Sequence, residues 1–240
     1  MAIFETQNLA VGYTHGKQTT TLLSGLNLSL DSGQLVALLG QNGAGKSTLI
    51  RALTFATKPI EGKILLHGVD FDTITKSERA RLLGLVSTER IQAGALTVSE
   101  LVGLGRQPYT GFLGRLSDDD RAIVADAIRS VGMSHKAESL VANLSDGERQ
   151  KVMIARALAQ HTPIIVLDEP TAFLDAASRI ETMQLLAALA REQGKAILLS
   201  THDISRSLML TDQLWVITRD RQVLTGATPE MVRSQAMNQV

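Results

Sequence analysis

The sequence predicts an α/β fold: a mainly parallel sheet, an N-terminal antiparallel β subdomain and an inserted α-helical subdomain. Three observations predict it. The runs Leu35–Leu39, Ile164–Leu167 and Ala196–Leu199 are continuously apolar, as strands covered on both faces are. The residues before the first run alternate apolar and polar, the signature of half-buried antiparallel strands. Between roughly Ser99 and Gln160 the period changes to that of helices.

Taken in order, Phe4, Leu9 and Val11, and then Leu26-Asn27-Leu28-Ser29-Leu30, mark the alternating strands, which extend up to about Thr54. Leu35–Leu39 runs straight into a glycine-rich turn, so a helix must follow from about Lys46. Leu83-Gly84-Leu85-Val86 is a further short strand. In the helical stretch, Ile123, Ala127, Ile128 and Val131 recur behind the acidic start Asp118-Asp119-Asp120, which suits a helix N-terminus. Leu144-Ser145-Asp146-Gly147-Glu148 opens a longer helix that continues through Val152, Ile154, Ala155 and Leu158. The last two apolar runs end in Asp168-Glu169-Pro170 and Ser200-Thr201-His202-Asp203. Ligands bind outside the carboxyl edge of open parallel sheets, so this pattern collects polar residues from distant parts of the chain at one place. One domain over 1–240 is expected, with 1–88 and 161–240 forming the core and β subdomain and 89–160 the helical lobe.

Composition narrows the function classes. A chain of 240 residues supports one substantial core, and 44% apolar with 20% charged residues is a globular balance. Lys+Arg and Asp+Glu are equal at 24 each, so no basic field gathers nucleic acid, which is not expected as a partner. The absence of cysteine excludes disulfides and thiolate chemistry and fits a reducing compartment. Met1-Ala2-Ile3-Phe4-Glu5 lacks the features of a secretory signal, and no apolar run is long enough to span a membrane. A cytoplasmic location is expected, and any membrane would be served from outside it.

Gly40-Gln41-Asn42-Gly43-Ala44-Gly45-Lys46-Ser47-Thr48 is a full G-x-x-x-x-G-K-[ST] phosphate loop, with a strand before and a helix after it. Glycines let backbone N–H groups converge on phosphate oxygens, the helix start adds positive potential, and Lys46 brings a mobile charge to the outer phosphates. Ser47 is placed to ligate magnesium. A glycine-rich turn without a ligand is the bland alternative, and the flanking elements argue against it. Asp168, at its strand end, is positioned for the magnesium hydration shell, and Glu169 can polarise an attacking water. His202 is a candidate to contact the γ-phosphate, although a histidine at a strand end is often structural. Ser145 with Glu148 reads locally as a capping box, yet a capped helix start can also grip an anion.

The phosphate loop, the Leu-Ser-x-Gly-Glu segment, Leu167-Asp168-Glu169-Pro170, Leu174-Asp175 and Ser200-Thr201-His202-Asp203, in this order and spacing, resemble the nucleotide-binding subunit of ATP-binding-cassette (ABC) transporters. That resemblance covers nearly the whole chain and implies a P-loop NTPase core that hydrolyses ATP with Mg2+. It further implies a homodimer in which the Ser145, Gly147 and Glu148 segment of one copy closes over the nucleotide of the other. Asp175 matches the residue that communicates between the two sites. Tyr13, in Val11-Gly12-Tyr13, matches the aromatic that stacks on adenine; a core role is equally open.

A narrower resemblance rests on Leu104-Gly105-Arg106-Gln107-Pro108-Tyr109, Leu113-Gly114-Arg115-Leu116-Ser117, Asp118-Asp119-Asp120 and the ending Gly226-Ala227-Thr228-Pro229-Glu230. It is similar to importer ATPases that serve iron–siderophore, haem and cobalamin permeases. The implied setting is peripheral, on the inner face of the cell membrane, with integral-membrane permease subunits and, indirectly, an extracytoplasmic substrate-binding protein. Two positions depart from the family. Thr88 stands where a metal-sensing glutamine is usual, with Glu89 beside it and Gln92 further on as other candidates. Asp146 stands where glycine is commoner; phosphate charge repels a carboxylate there, so it is expected to point away from the nucleotide. The rival readings are a soluble non-transport cassette ATPase for cluster assembly or nucleic acid, and an ATP-binding regulator without turnover.

Overall fold

In chain order the elements are β1 (Ala2–His15), β2 (Gln18–Leu26), β3 (Ser29–Asp31), β4 (Leu35–Leu39), α1 (Lys46–Leu53), β5 (Glu61–Leu66), β6 (Val69–Asp70), α2 (Lys76–Leu82) and β7 (Leu83–Val86). There follow α3 (Val98–Gly103), α4 (Asp118–Ser130), α5 (Asp146–Ala159), β8 (Ile164–Leu167), α6 (Ala176–Gln193), β9 (Ala196–Thr201), α7 (Ile204–Leu210), β10 (Gln213–Ile217), β11 (Val223–Ala227) and α8 (Thr228–Arg233). The computed structural model describes residues 2–16, 18–87, 95–111 and 114–234.

Six strands form the larger sheet in the order β11-β10-β4-β9-β8-β7, all neighbours parallel except the β10–β11 hairpin. A smaller antiparallel sheet runs β2-β1-β5-β6, with β3 also paired to β1. The continuous apolar runs are explained by what lies on either side of the larger sheet. Leu35, Ala37, Leu39, Ile165, Leu167, Ile197 and Leu199 face one core, shared with α3 to α6. Their neighbours Val36, Leu38, Ile164, Val166, Ala196 and Leu198 face a second core, shared with α1 and the antiparallel sheet. Alternate side chains of a strand point to opposite faces, so a strand covered twice is apolar on both, apart from the buried Ser200 and Thr201 at the carboxyl end of β9. Each buried leucine or isoleucine contributes about 1.5–3 kcal/mol.

Two local readings are corrected. Leu26–Leu30 is not one strand: β2 ends at Leu26 and β3 begins at Ser29. The break is held by Thr6, whose hydroxyl donates to Leu26 O at 2.9 Å and accepts from Leu28 N–H at 2.8 Å, while Asn27 Oδ1 accepts from Asn8 N–H at 3.0 Å. With the Thr6 N–H on Leu28 O at 2.9 Å, these bonds satisfy the backbone where the chain crosses from one pairing to the next. In α4 the buried apolar residues are Val124, Ala127 and Ile128, with Ile123 only half-buried. A 3.6-residue period fixes the helix but leaves its rotation to the packing partners.

The helical lobe is built from α3, α4 and α5. Arg106 anchors it: its Nε donates to Asp120 Oδ1 at 2.8 Å, its Nη1 donates to Ala159 O at 2.9 Å, and its guanidinium lies 4.0 Å from the Tyr109 ring centre. Asp120 also caps α4 through Ser117, and both contacts, Arg106 first, hold its carboxyl at about 2. Among the described residues, no helix is long and apolar enough to cross a membrane.

Candidate functional site

The parallel register sets the site. Leu39 lies beside Thr201, and Leu167 beside Leu199, so β4, β9 and β8 end at one edge of the sheet. Each hands a polar segment to that edge: the phosphate loop, His202 and the Asp168-Glu169 pair.

Between β4 and α1, Gly43 has φ +81° and Gly45 φ +109°, conformations that a Cβ disfavours. Gly45 is the N-cap of α1 and supplies no side-chain cap. By contrast, α2, α3, α4 and α5 all begin with capping boxes. The start of α1 thus keeps donors and positive potential for an anion. Lys46 is only 5% exposed; its Nζ donates to Gly40 O at 2.8 Å and Gln41 O at 3.2 Å, and lies 3.7 Å from Glu169 Oε1. Thr48 is half-buried one turn into the helix.

Asp168 Oδ1 accepts from Ser47 Oγ at 3.4 Å and from Ser200 Oγ at 2.6 Å. Asp168 Oδ2 makes no hydrogen bond or ion pair among the described residues. Glu169 has φ +45°, left-handed for a residue with a Cβ, and its N–H donates to Ser200 Oγ at 2.8 Å. His202 Nδ1 is 3.9 Å from Glu169 Oε2, and its ring is 52% exposed. A cavity of about 390 Å³ opens here, lined by Gly40, Gln41, Asn42, Glu169, Thr201 and His202. Ser47 and Asp168 offer hard oxygen donors at its side, the set that Mg2+ prefers.

The remaining candidates lie elsewhere. Ser145 caps α5, accepting from Glu148 N–H at 3.3 Å, and its hydroxyl meets Glu148 Oε2 at 3.1 Å. The Lys136 ammonium, 2.6 Å from Glu148 Oε1, together with the Ser145 N–H, lowers the Glu148 carboxyl from 4.5 to about 2. The Asp146 carboxylate is drawn to Arg149 of its own helix at 3.1 Å. Asp175 caps α6, and the N–H and hydroxyl of Ser178 lower its pKa. A Cβ on Gly147 would stand 2.6 Å from Ser178 Oγ, so the starts of α5 and α6 are in contact. No hydrogen bond or ion pair joins this group to the phosphate loop among the described residues. Tyr13 is 56% exposed on β1, which removes the core alternative. Thr88, Glu89 and Gln92 lie outside the described residues.

Two residues escaped the sequence reading. Ser200 is fully buried between Asp168 and Glu169; the signal was a hydroxyl at the end of an apolar run. Gln150 lines a small, partly open cavity of about 70 Å³ with Ser87, Asp168 and Glu169, and its Nε2 is buried without a partner among the described residues.

A phosphate loop between the buried strand β4 and an uncapped helix, with two acids at the end of β8 one strand further across the sheet, defines a P-loop NTPase. The family model described as "ABC transporter" matches residues 23–172, more than half of the chain. The chain is 33% identical over 240 residues to the iron(3+)-hydroxamate import ATP-binding protein FhuC of Bacillus subtilis, covering 100% of this chain and 88% of that protein. It is 35% identical over 237 residues to the achromobactin transport ATP-binding protein CbrD of Dickeya dadantii, covering 99% and 86%. The dimeric post-hydrolysis state of an ATP-binding cassette bound to ADP and Pi superposes with a TM-score of 0.78 at 28% identity, covering 94% of this chain and 98% of that one. This chain belongs to the ABC transporter family as one of its ATP-binding cassettes.

Proposed function

We propose that this chain is the ATP-hydrolysing subunit that powers an ABC importer for iron–siderophore, haem or cobalamin uptake. One observation carries the catalytic part: Lys46, Ser47, Asp168, Glu169 and His202 meet at a single sheet edge beside a cavity open to solvent. The relatives named for hydroxamate and achromobactin transport support the cargo class.

In this reading residues Gly40 to Thr48 hold the phosphates of ATP, and Tyr13 stacks on adenine. Lys46 leaves its carbonyl partners for the outer phosphates, which also frees Glu169. Ser47 and Asp168 would hold Mg2+, which would neutralise phosphate charge. Glu169 accepts the proton of the attacking water, and His202 orients the γ-phosphate. Ser145, Gly147 and Glu148 come from a second copy of the chain to complete the site, with Asp175 between the two sites. The whole chain acts as one nucleotide-binding domain, with residues 89–160 as the helical lobe. It works on the inner face of the cell membrane, docked on integral permease subunits and supplied through an extracytoplasmic binding protein.

Glu169→Gln tests the assignment. Loss of a general base lowers turnover about 10²- to 10⁴-fold, while ATP still binds and the arrested protein elutes as a dimer. A variant that releases phosphate at the wild-type rate removes Glu169 from the role.

A further inference from the structure

Ser200 lies one residue before the end of the buried strand β9 and is fully enclosed. A hydroxyl has a single proton to donate, so its two short bonds fix its orientation. The proton goes to Asp168 Oδ1 at 2.6 Å, and a lone pair receives the Glu169 N–H at 2.8 Å. The first bond is charge-assisted and short. With the Ser47 hydroxyl also on Oδ1, at 3.4 Å, Oδ2 is the oxygen left to face a cation or its water. The second bond gives a partner to the N–H of a residue held at φ +45°. One side chain therefore sets both the rotation of Asp168 and the backbone that aims Glu169.

We propose that Ser200 is a positioning residue for ATP hydrolysis: its hydroxyl locks the Asp168 carboxylate and the Glu169 backbone in a fixed relative orientation. The inference rests on the reading above of Asp168 as the Mg2+-shell acid and Glu169 as the base. A serine that only fills space would do the same work as any residue of its volume.

The test compares wild type, Ser200→Ala, Ser200→Cys and Asp168→Asn in the transporter complex. It measures phosphate release against Mg2+ at saturating ATP, Mg2+-free nucleotide affinity and thermal melting. Loss of a supporting hydrogen bond of this kind costs about 10- to 100-fold in activity or metal affinity. Ser200→Ala is expected to lower kcat and raise the half-saturating Mg2+ by that order, with Mg2+-free affinity unchanged. Ser200→Cys puts a larger atom and a weak donor at the same place, so it should fall with Ser200→Ala, and the unchanged Mg2+-free affinity, measured well below the melting point, reads the effect even where a variant melts early. Wild-type kcat and Mg2+ dependence in Ser200→Ala, or their recovery in Ser200→Cys, would overturn the proposal. If Asp168→Asn shifts the Mg2+ dependence and neither serine variant does, only the positioning role fails. An unshifted Asp168→Asn removes the underlying reading and the proposal with it.

Discussion

Replacing Gly147 by alanine presses the start of α5 into the start of α6. The new Cβ would sit 2.6 Å from Ser178 Oγ and 3.1 Å from Ser178 Cβ, both inside ordinary van der Waals contact. Ser178 cannot simply turn away, because its hydroxyl donates to Asp175 Oδ2 at 2.9 Å. Overpacking of this size costs about 1–3 kcal/mol. Against it, alanine gains up to about 1 kcal/mol over glycine in helix propensity, and less in the first turn. The clash wins by about 1–2 kcal/mol, and at this chain length each kcal/mol moves Tm by about 2–4 °C. Scanning calorimetry of Gly147→Ala, Ser178→Ala and the double variant separates the contributions. The double variant removes the 2.6 Å contact, so the cycle should show a favourable coupling of about 1 kcal/mol. Gly147→Ala melting at or above wild type, or an additive double variant, would refute the close contact as the reason glycine stands there.

Gln150→Leu is near-isosteric and removes a buried donor that has no partner among the described residues, a defect costing about 1–3 kcal/mol. Its Tm should rise, and a fall would mean that the amide is satisfied in solution, for instance by water in the adjoining cavity. Lys136→Met removes the ammonium that is the largest of the contacts lowering the Glu148 pKa from 4.5 to about 2, the Ser145 bonds remaining. A depressed carboxylate pKa stabilises the fold above the unfolded value and loses that effect as pH falls through the folded one. The gap in Tm between wild type and variant should therefore hold above roughly pH 5.5 and close between roughly pH 4.5 and 2. A gap independent of pH would place the effect of Lys136 elsewhere than on Glu148.

The parallel strands and the phosphate loop were legible because both are local. Leu35–Leu39 declares two-sided burial by composition alone, and the loop spells its own backbone requirements in glycine. The convergence of Asp168, Glu169 and His202 followed from sheet topology rules. The Thr6 bond that breaks β2 from β3 was not legible, because it joins residues 20 and 22 positions apart. Ser200 was missed for the same reason: its partners lie 31 and 32 positions away, and nothing in Leu-Ser-Thr-His says which way the hydroxyl turns. Tyr13 was ambiguous between core and surface because β1 buries Leu9, Ala10 and Val11 in succession and then leaves both Tyr13 and Thr14 exposed, and nothing local marks where that cover stops. Its exposure places it beyond the covered part of the strand.

At the far end of α5, Arg106 grips the carbonyl of Ala159, and the Gln160 amide just beyond donates to Ala80 O at 2.6 Å and Leu83 O at 3.2 Å. At the near end, Gly147 abuts α6. A helix of 14 residues is a rod about 21 Å long that resists bending. Fastened at both extremities, the rod fixes the spacing between the segment around Arg106 and the Ser145 tip, so neither end can shift without straining the contacts that hold the other.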